Sequence, residues 1–95
     1  MDRIHDTQHE AHEAAKETAA LLRSRALAAI RQRPYGLTAD QVAAVLGKSV
    51  LSIRPRITEL KQDGEIVDSG ERRANASGRR AAVFVVAADR QLTMF

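Results

Sequence analysis

The chain reads as an α+β domain in which three helices, the first of them long, precede a two-stranded β-hairpin. Three observations predict it. Apolar residues recur at helical spacing in three successive segments that end near Leu60. Ala43, then Gly47 four residues on, then Ile53 six further, is the spacing that two closely crossing helices need around a tight turn, since larger residues at Ala43 or Gly47 would push the helices apart. β-branched and aromatic residues take over beyond Gly64, on either side of a segment containing Asn75 and Gly78.

The first helix is expected over residues 7–33, after a disordered N-terminus at 1–6. Thr7-Gln8-His9-Glu10 is a capping-box pattern, in which the hydroxyl and the carboxylate satisfy orphan backbone donors at a helix start. Ala15, Ala19, Leu22, Ala26, Ala29 and Ile30 form one apolar stripe, and Pro34-Tyr35-Gly36 ends the segment. Acidic residues gather near its start and Arg23, Arg25, Arg31 and Arg33 near its end, which complements the helix dipole. Ala20, Leu21 and Leu27 add a partial second stripe. That surplus either pairs two copies into a homodimer or wraps the helix more fully onto its own domain.

Thr38-Ala39-Asp40-Gln41 is a second capping box and predicts a helix over 38–46, with Gly47 as its left-handed terminator and Val42, Val45 and Leu46 facing the core. Ile53, Ile57 and Leu60 fall at i, i+4 and i+7 of a third helix, which Ser49 or Ser52 can cap and Gly64 closes. Pro55 constrains where it starts. A proline inside a helix costs about 3 kcal/mol but is tolerated in the first turn, so the helix is expected over 52–63 with 49–51 as a tight lead-in turn. Strands are expected over 65–73 and 79–87, joined by the five residues 74–78. That register sets Arg73 opposite Arg79 and Arg72 opposite Arg80, and like charges across a ladder call for a counter-anion.

Ninety-five residues make one small domain with a modest core. The absence of cysteine excludes disulfides and thiolate metal sites, and no apolar signal segment or membrane span is legible, so a cytoplasmic, nucleoid-associated location is expected. No nucleophile–base pair, phosphate loop or paired carboxylate stands out, which argues against an enzyme and against a cofactor. The net charge of +3 is unevenly spread: residues 1–47 hold six basic and six acidic groups, residues 48–80 eight and five, and residues 81–95 one of each. All the excess therefore sits on the third helix and the hairpin. A basic surface confined to one substructure is the footprint of a polyanionic partner.

The run Leu37-Thr38-Ala39-Asp40-Gln41-Val42-Ala43, followed by Leu46-Gly47, by Ile53 with Ile57 and Leu60, and by Asn75 to Arg79, resembles the winged helix-turn-helix class. MarR-like regulators and many small phage DNA-binding proteins share that class, and the nearest likeness is to compact phage-type members with an Asn-x-Ser-Gly-Arg hairpin tip. Pro55 departs from the usual pattern. The resemblance implies that the helix after Gly47 enters the major groove of double-stranded DNA while the hairpin, or wing, lies along the backbone or minor groove. Candidate DNA contacts are Lys48, Ser49, Ser52, Arg54 and Arg56 on the helix and Arg72, Arg73, Asn75, Ser77, Arg79 and Arg80 on the wing. Arg54 suits a guanine edge, Leu51 a thymine methyl and Arg56 a phosphate. The outward helix face is poor in bidentate readers and the wing is rich in arginine, so affinity is expected to come mainly from phosphates.

Gln91-Leu92-Thr93-Met94-Phe95 resembles the Gln-Leu-x-Leu-Phe peptide by which bacterial proteins dock on the DNA polymerase sliding clamp. The resemblance assigns Leu92, Met94 and Phe95 to an apolar pocket and Gln91 to oriented hydrogen bonds, with 88–95 as a flexible tail. The expected function is thus a replication or repair accessory, phage-type, that grips duplex DNA and is tethered to the clamp. A dimeric transcriptional regulator and an inhibitor that acts through protein contacts alone are the alternatives. His5, His9 and His12 fall at i, i+4 and i+7, a spacing that can hold zinc. A solvated helix face is the expected reading, because the cap at Thr7 leaves His5 outside the helix.

Overall fold

The computed structural model describes residues 17–87. The order is α1 (Ala19–Arg31), α2 (Ala39–Leu46), α3 (Val50–Gln62), β1 (Ile66–Ala74) and β2 (Arg80–Val86). Three helices followed by an antiparallel hairpin make the α+β arrangement anticipated above, and it is winged-helix-like. No helix among the described residues is long and apolar enough to cross a membrane.

α1 starts later than expected. Thr18 is in extended backbone, with φ −71° and ψ 158°, and its hydroxyl accepts a hydrogen bond from Leu21 N at 3.0 Å. A Thr that caps a helix in this way is outside it, so one continuous helix over 7–33 is not what the described residues show. The capping box at Thr7, the histidines and the two termini at 1–16 and 88–95 lie outside the described residues. From α1, Leu22, Ala26, Ala29 and Ile30 enter the core.

α2 forms as its capping box dictates. Thr38 Oγ1 accepts from Gln41 N at 3.1 Å, and Gln41 Oε1 accepts from Thr38 N at 3.0 Å. Gly47 ends the helix at φ +67°, but a Cβ there would meet nothing within 4 Å. Its backbone conformation, and not crowding between helices, is therefore what calls for glycine. Val42 and Ala43 are buried, whereas Val45, expected in the core, is 47% exposed and Leu46 is half-buried.

α3 begins at Val50, capped by Ser49, whose Oγ accepts from Leu51 N at 3.1 Å. Pro55 consequently sits in the second turn and not in the first, contrary to expectation. The missing N–H would have paired with the carbonyl of Leu51, which therefore lacks its helical donor. Against the cost of the proline stands the full burial of Ile53, Ile57 and Leu60, each contributing about 1.5–3 kcal/mol.

The hairpin carries a feature that the expected register lacked. Ile66 pairs with Val86, Val67 with Val85 and Asp68 with Phe84, as anticipated, but beyond Asp68 the ladder shifts to Arg72 with Ala82, Arg73 with Ala81 and Ala74 with Arg80. Ser69, Gly70 and Glu71 bulge out between these two halves, with Asp68 Oδ1 accepting from Gly70 N at 2.8 Å and Ser69 Oγ from Glu71 N at 3.2 Å. The tip closes through Gly78 N donating to Asn75 O and Asn75 N to Arg79 O. No arginine therefore faces another across the ladder, and the repulsion that called for a counter-anion is absent.

A third strand-like contact anchors the hairpin to the helices. Leu37 N donates to Phe84 O at 3.1 Å and Phe84 N to Leu37 O at 2.8 Å, so β2 lies between Leu37 and β1. Gly36 makes this approach possible. At φ +80°, a Cβ on it would lie 2.6 Å from Phe84 O, 2.7 Å from Val83 Cγ1 and 2.9 Å from Val85 Cγ1. One core then runs from α1 through α2 and α3 to Ile66 and Val86.

Gly36→Ala is expected to lower stability by about 3 kcal/mol, combining backbone strain with overpacking against β2. Gly47→Ala, where only the backbone is strained, should cost about 1 kcal/mol. Urea unfolding of both variants checks the order, and an equal loss at the two sites would contradict it.

Candidate nucleic-acid interface

The outward side of α3 and the hairpin face each other across a cleft of about 390 Å³. Asp40 from the first turn of α2, Arg54 and Thr58 from α3, and Asn75, Arg79 and Arg80 from the hairpin line it. A second hollow of about 410 Å³ continues past Phe84 toward Lys61 and Gln62. Arg54, Thr58 and Lys61 are at i, i+4 and i+7 of α3 and so share one face.

Of the expected contacts, Arg54, Asn75, Arg79 and Arg80 meet in this cleft. The guanidinium groups of Arg79 and Arg80 make no hydrogen bond or ion pair among the described residues, and both side chains are exposed. Arg54 donates from Nη2 at 2.9 Å and from Nε at 3.3 Å to a single oxygen, Oδ1 of Asp40. Thr38 Oγ1 donates to Asn75 Oδ1 at 3.4 Å, which joins the hairpin tip to the cap of α2. Ser77 Oγ accepts from Arg79 N at 3.4 Å within the turn.

The other expected contacts, Ser52 apart, are engaged within the chain. Lys48 Nζ lies 2.8 Å from Glu17 Oε1, and Arg25 reaches the other oxygen of that carboxylate. Ser49 serves as the cap of α3, while Ser52 is exposed in its first turn. Arg56 forms a two-pronged pair with Glu59, through Nε at 2.8 Å and Nη2 at 2.9 Å, and Arg23 of α1 donates to Glu59 Oε1 at 2.8 Å. Arg72 pairs with Asp68 at 3.0 Å.

Arg73 is the most heavily committed. Its Nη1 donates to Gln41 Oε1 at 2.8 Å and to Gly36 O at 3.3 Å, and its Nη2 donates to Tyr35 O at 3.3 Å and to Glu71 Oε2 at 3.1 Å. It fastens β1 to the loop before α2 and to the capping box itself. A guanidinium with that many partners has little left for a ligand.

These pairings hold three carboxyls below their ordinary range. Hydrogen bonds from Arg56 and then Arg23 lower Glu59; the Gly70 N–H, followed by Arg72, lowers Asp68; Lys48 and then Arg25 lower Glu17. Asp40, Thr58 and Lys61 were not among the expected contacts. The last two could have been found from their helical spacing with Arg54; Asp40 could not, since only the tertiary fold brings it to the cleft.

No protein-family model, no curated protein and no solved structure matches this chain. What defines it is its own architecture, a winged-helix-like domain with a basic cleft between its last helix and its hairpin.

Arg73→Ala should destabilise the domain by about 1–2 kcal/mol, because it strips a partner from the carbonyl of buried Gly36 and from Gln41 Oε1, whereas Arg79→Ala should stay within about 0.5 kcal/mol of the parent. Equal effects in urea unfolding would refute the division. For Glu59, the folded value lies below the unfolded one, so its contribution to stability is complete above the ordinary glutamate value of 4.5 and is lost as pH falls through the folded value. The stability gap between the parent and Glu59→Gln should therefore close on acidification through that window. A gap independent of pH would show that the carboxylate charge is immaterial.

Proposed function

We propose that this chain is a non-enzymatic protein that binds double-stranded DNA as a winged helix-turn-helix, with α3 presented to the major groove and the hairpin tip to the adjacent backbone. The observation that carries the reading is the cleft, where Arg79 and Arg80 stand beside α3 without a counter-ion among the described residues. A duplex backbone offers phosphates to such cations, and neutralising them releases condensed counterions. Arg79, Arg80 and Lys61 are the main phosphate contacts in this proposal. Arg72 and Arg73, which have internal partners, and Arg56, which is bound to Glu59, contribute less.

The outward residues of α3 suit base contacts better than phosphate contacts. Leu51, Ser52 and Pro55 are exposed and uncharged, so they add shape and apolar contact but few hydrogen bonds. Discrimination between sequences is thus modest in this reading, and a protein partner helps to set the location on DNA. The Gln91–Phe95 peptide, which resembles the sliding-clamp ligand, is the proposed means, with a replication or repair accessory as the role.

The double substitution Arg79→Ala plus Arg80→Ala should weaken duplex binding similarly for all sequences and reduce the slope of log affinity against log salt by about 2, since each phosphate contact contributes about 0.9. An unchanged slope, with the fold intact, would remove the wing from the backbone. For the tail, Leu92→Ala plus Phe95→Ala should abolish binding to purified bacterial sliding clamp; equal binding by parent and variant, or by neither, would end that part of the proposal.

A further inference from the structure

Asp40 is an unexpected residue in a cleft built for a polyanion. It lies in the first turn of α2, where a carboxylate favours the helix dipole, but a stabilising role for the helix alone does not require it to reach Arg54 on another element. Its position in the cleft places a negative charge next to any phosphate bound by Arg54, which weakens the generic attraction that Arg79 and Arg80 supply.

The geometry of the pair resolves the conflict. Nε and Nη2 form one edge of the guanidinium, and both donate to Asp40 Oδ1. The other edge, made by Nη1 and the remaining hydrogen of Nη2, has no partner among the described residues, and the side chain is 56% exposed. Two parallel N–H donors on a fixed plane match the O6 and N7 acceptors of guanine. These acceptors carry no formal charge, so a neighbouring carboxylate repels them far less than it repels a phosphate. Orientation by Asp40 also removes much of the rotamer freedom that a long exposed arginine would otherwise lose on binding.

We infer that Asp40 is a positioning residue that turns Arg54 from a phosphate contact into a guanine reader, giving this cleft one base-specific contact amid its phosphate contacts. The inference rests on the DNA-binding reading above and assigns selectivity to a residue that carries the wrong charge for affinity. Arg54 touches the base; Asp40 acts through it.

The test is selection from a pool of random-sequence duplexes, combined with affinity measured on the winning duplex and on an unselected one. The parent should enrich guanine at one or two positions. Asp40→Ala should reduce that enrichment about tenfold while its affinity for unselected duplex stays level or rises. Asp40→Asn, which keeps an oxygen acceptor without the charge and guards against misfolding, should retain an intermediate preference. Arg54→Lys, which keeps the charge but not the two-donor edge, should lose the preference with the salt slope unchanged. If Asp40→Ala raises affinity equally on every sequence and leaves the guanine preference intact, Asp40 only repels, and the inference falls. A parent that binds duplex in a salt-dependent way without any base preference overturns it as well. A parent with no salt-dependent duplex binding at all would instead overturn the DNA-binding reading on which it rests.

Discussion

The approach of Gly36 and Leu37 to Phe84 is the contact on which the rest of the molecule depends. Two backbone hydrogen bonds join the loop before α2 to the middle of β2, and they form only because residue 36 has no side chain to strike Phe84 O. A two-stranded hairpin is marginal by itself in water, so this third partner is what gives the wing a fixed base. The next residue, Thr38, is buried and caps α2. The start of α2, and with it Asp40, is thereby held against the hairpin within three residues of the bridge.

Arg73 and Asn75 extend the same joint. Gln41 Oε1 accepts from the Thr38 backbone and from Arg73 together, so helix cap and wing share one acceptor. This explains why arginines that look alike in sequence differ in what they do. Arg72 and Arg73, on β1, have backbone carbonyls and carboxylates within reach and use them, while the guanidinium groups of Arg79 and Arg80, beyond the turn, have no partner among the described residues. Access to an internal acceptor, more than charge, separates residues that hold the fold from residues open to a partner.

Much of this fold was legible in the residues because it is written in local patterns. The capping box at Thr38, the left-handed Gly47 and the spacing of Ile53, Ile57 and Leu60 each operate within a few residues, and each formed as read. The misreadings come from non-local or competing effects. Pro55 marks a helix start by its own propensity, yet the cap formed by Ser49 carries the helix two residues further back, to Val50. Ser69-Gly70 in mid-strand was the available sign of a bulge, since an isolated glycine there weakens a ladder, and missing it displaced every arginine partner beyond Asp68. Leu37 pairing with Phe84 and Asp40 reaching Arg54 have no local signature at all.

On the proposed DNA-binding reading, the distribution of partners also separates two demands that usually compete. Phosphate attraction is long-ranged and tolerant of geometry, so it works best with side chains that move freely, such as those at the hairpin tip. Reading a base edge requires a donor pair held within a narrow range of distance and angle, which favours an arginine already bound to something rigid. Arg54 is tied to α2, and α2 is tied to the hairpin through Leu37, Thr38 and Asn75. The carboxylate that orients Arg54 weakens the attraction of the whole cleft. On that reading, the loss is acceptable only if Arg79 and Arg80, or a second tether elsewhere in the chain, hold the protein on DNA while Arg54 samples the bases.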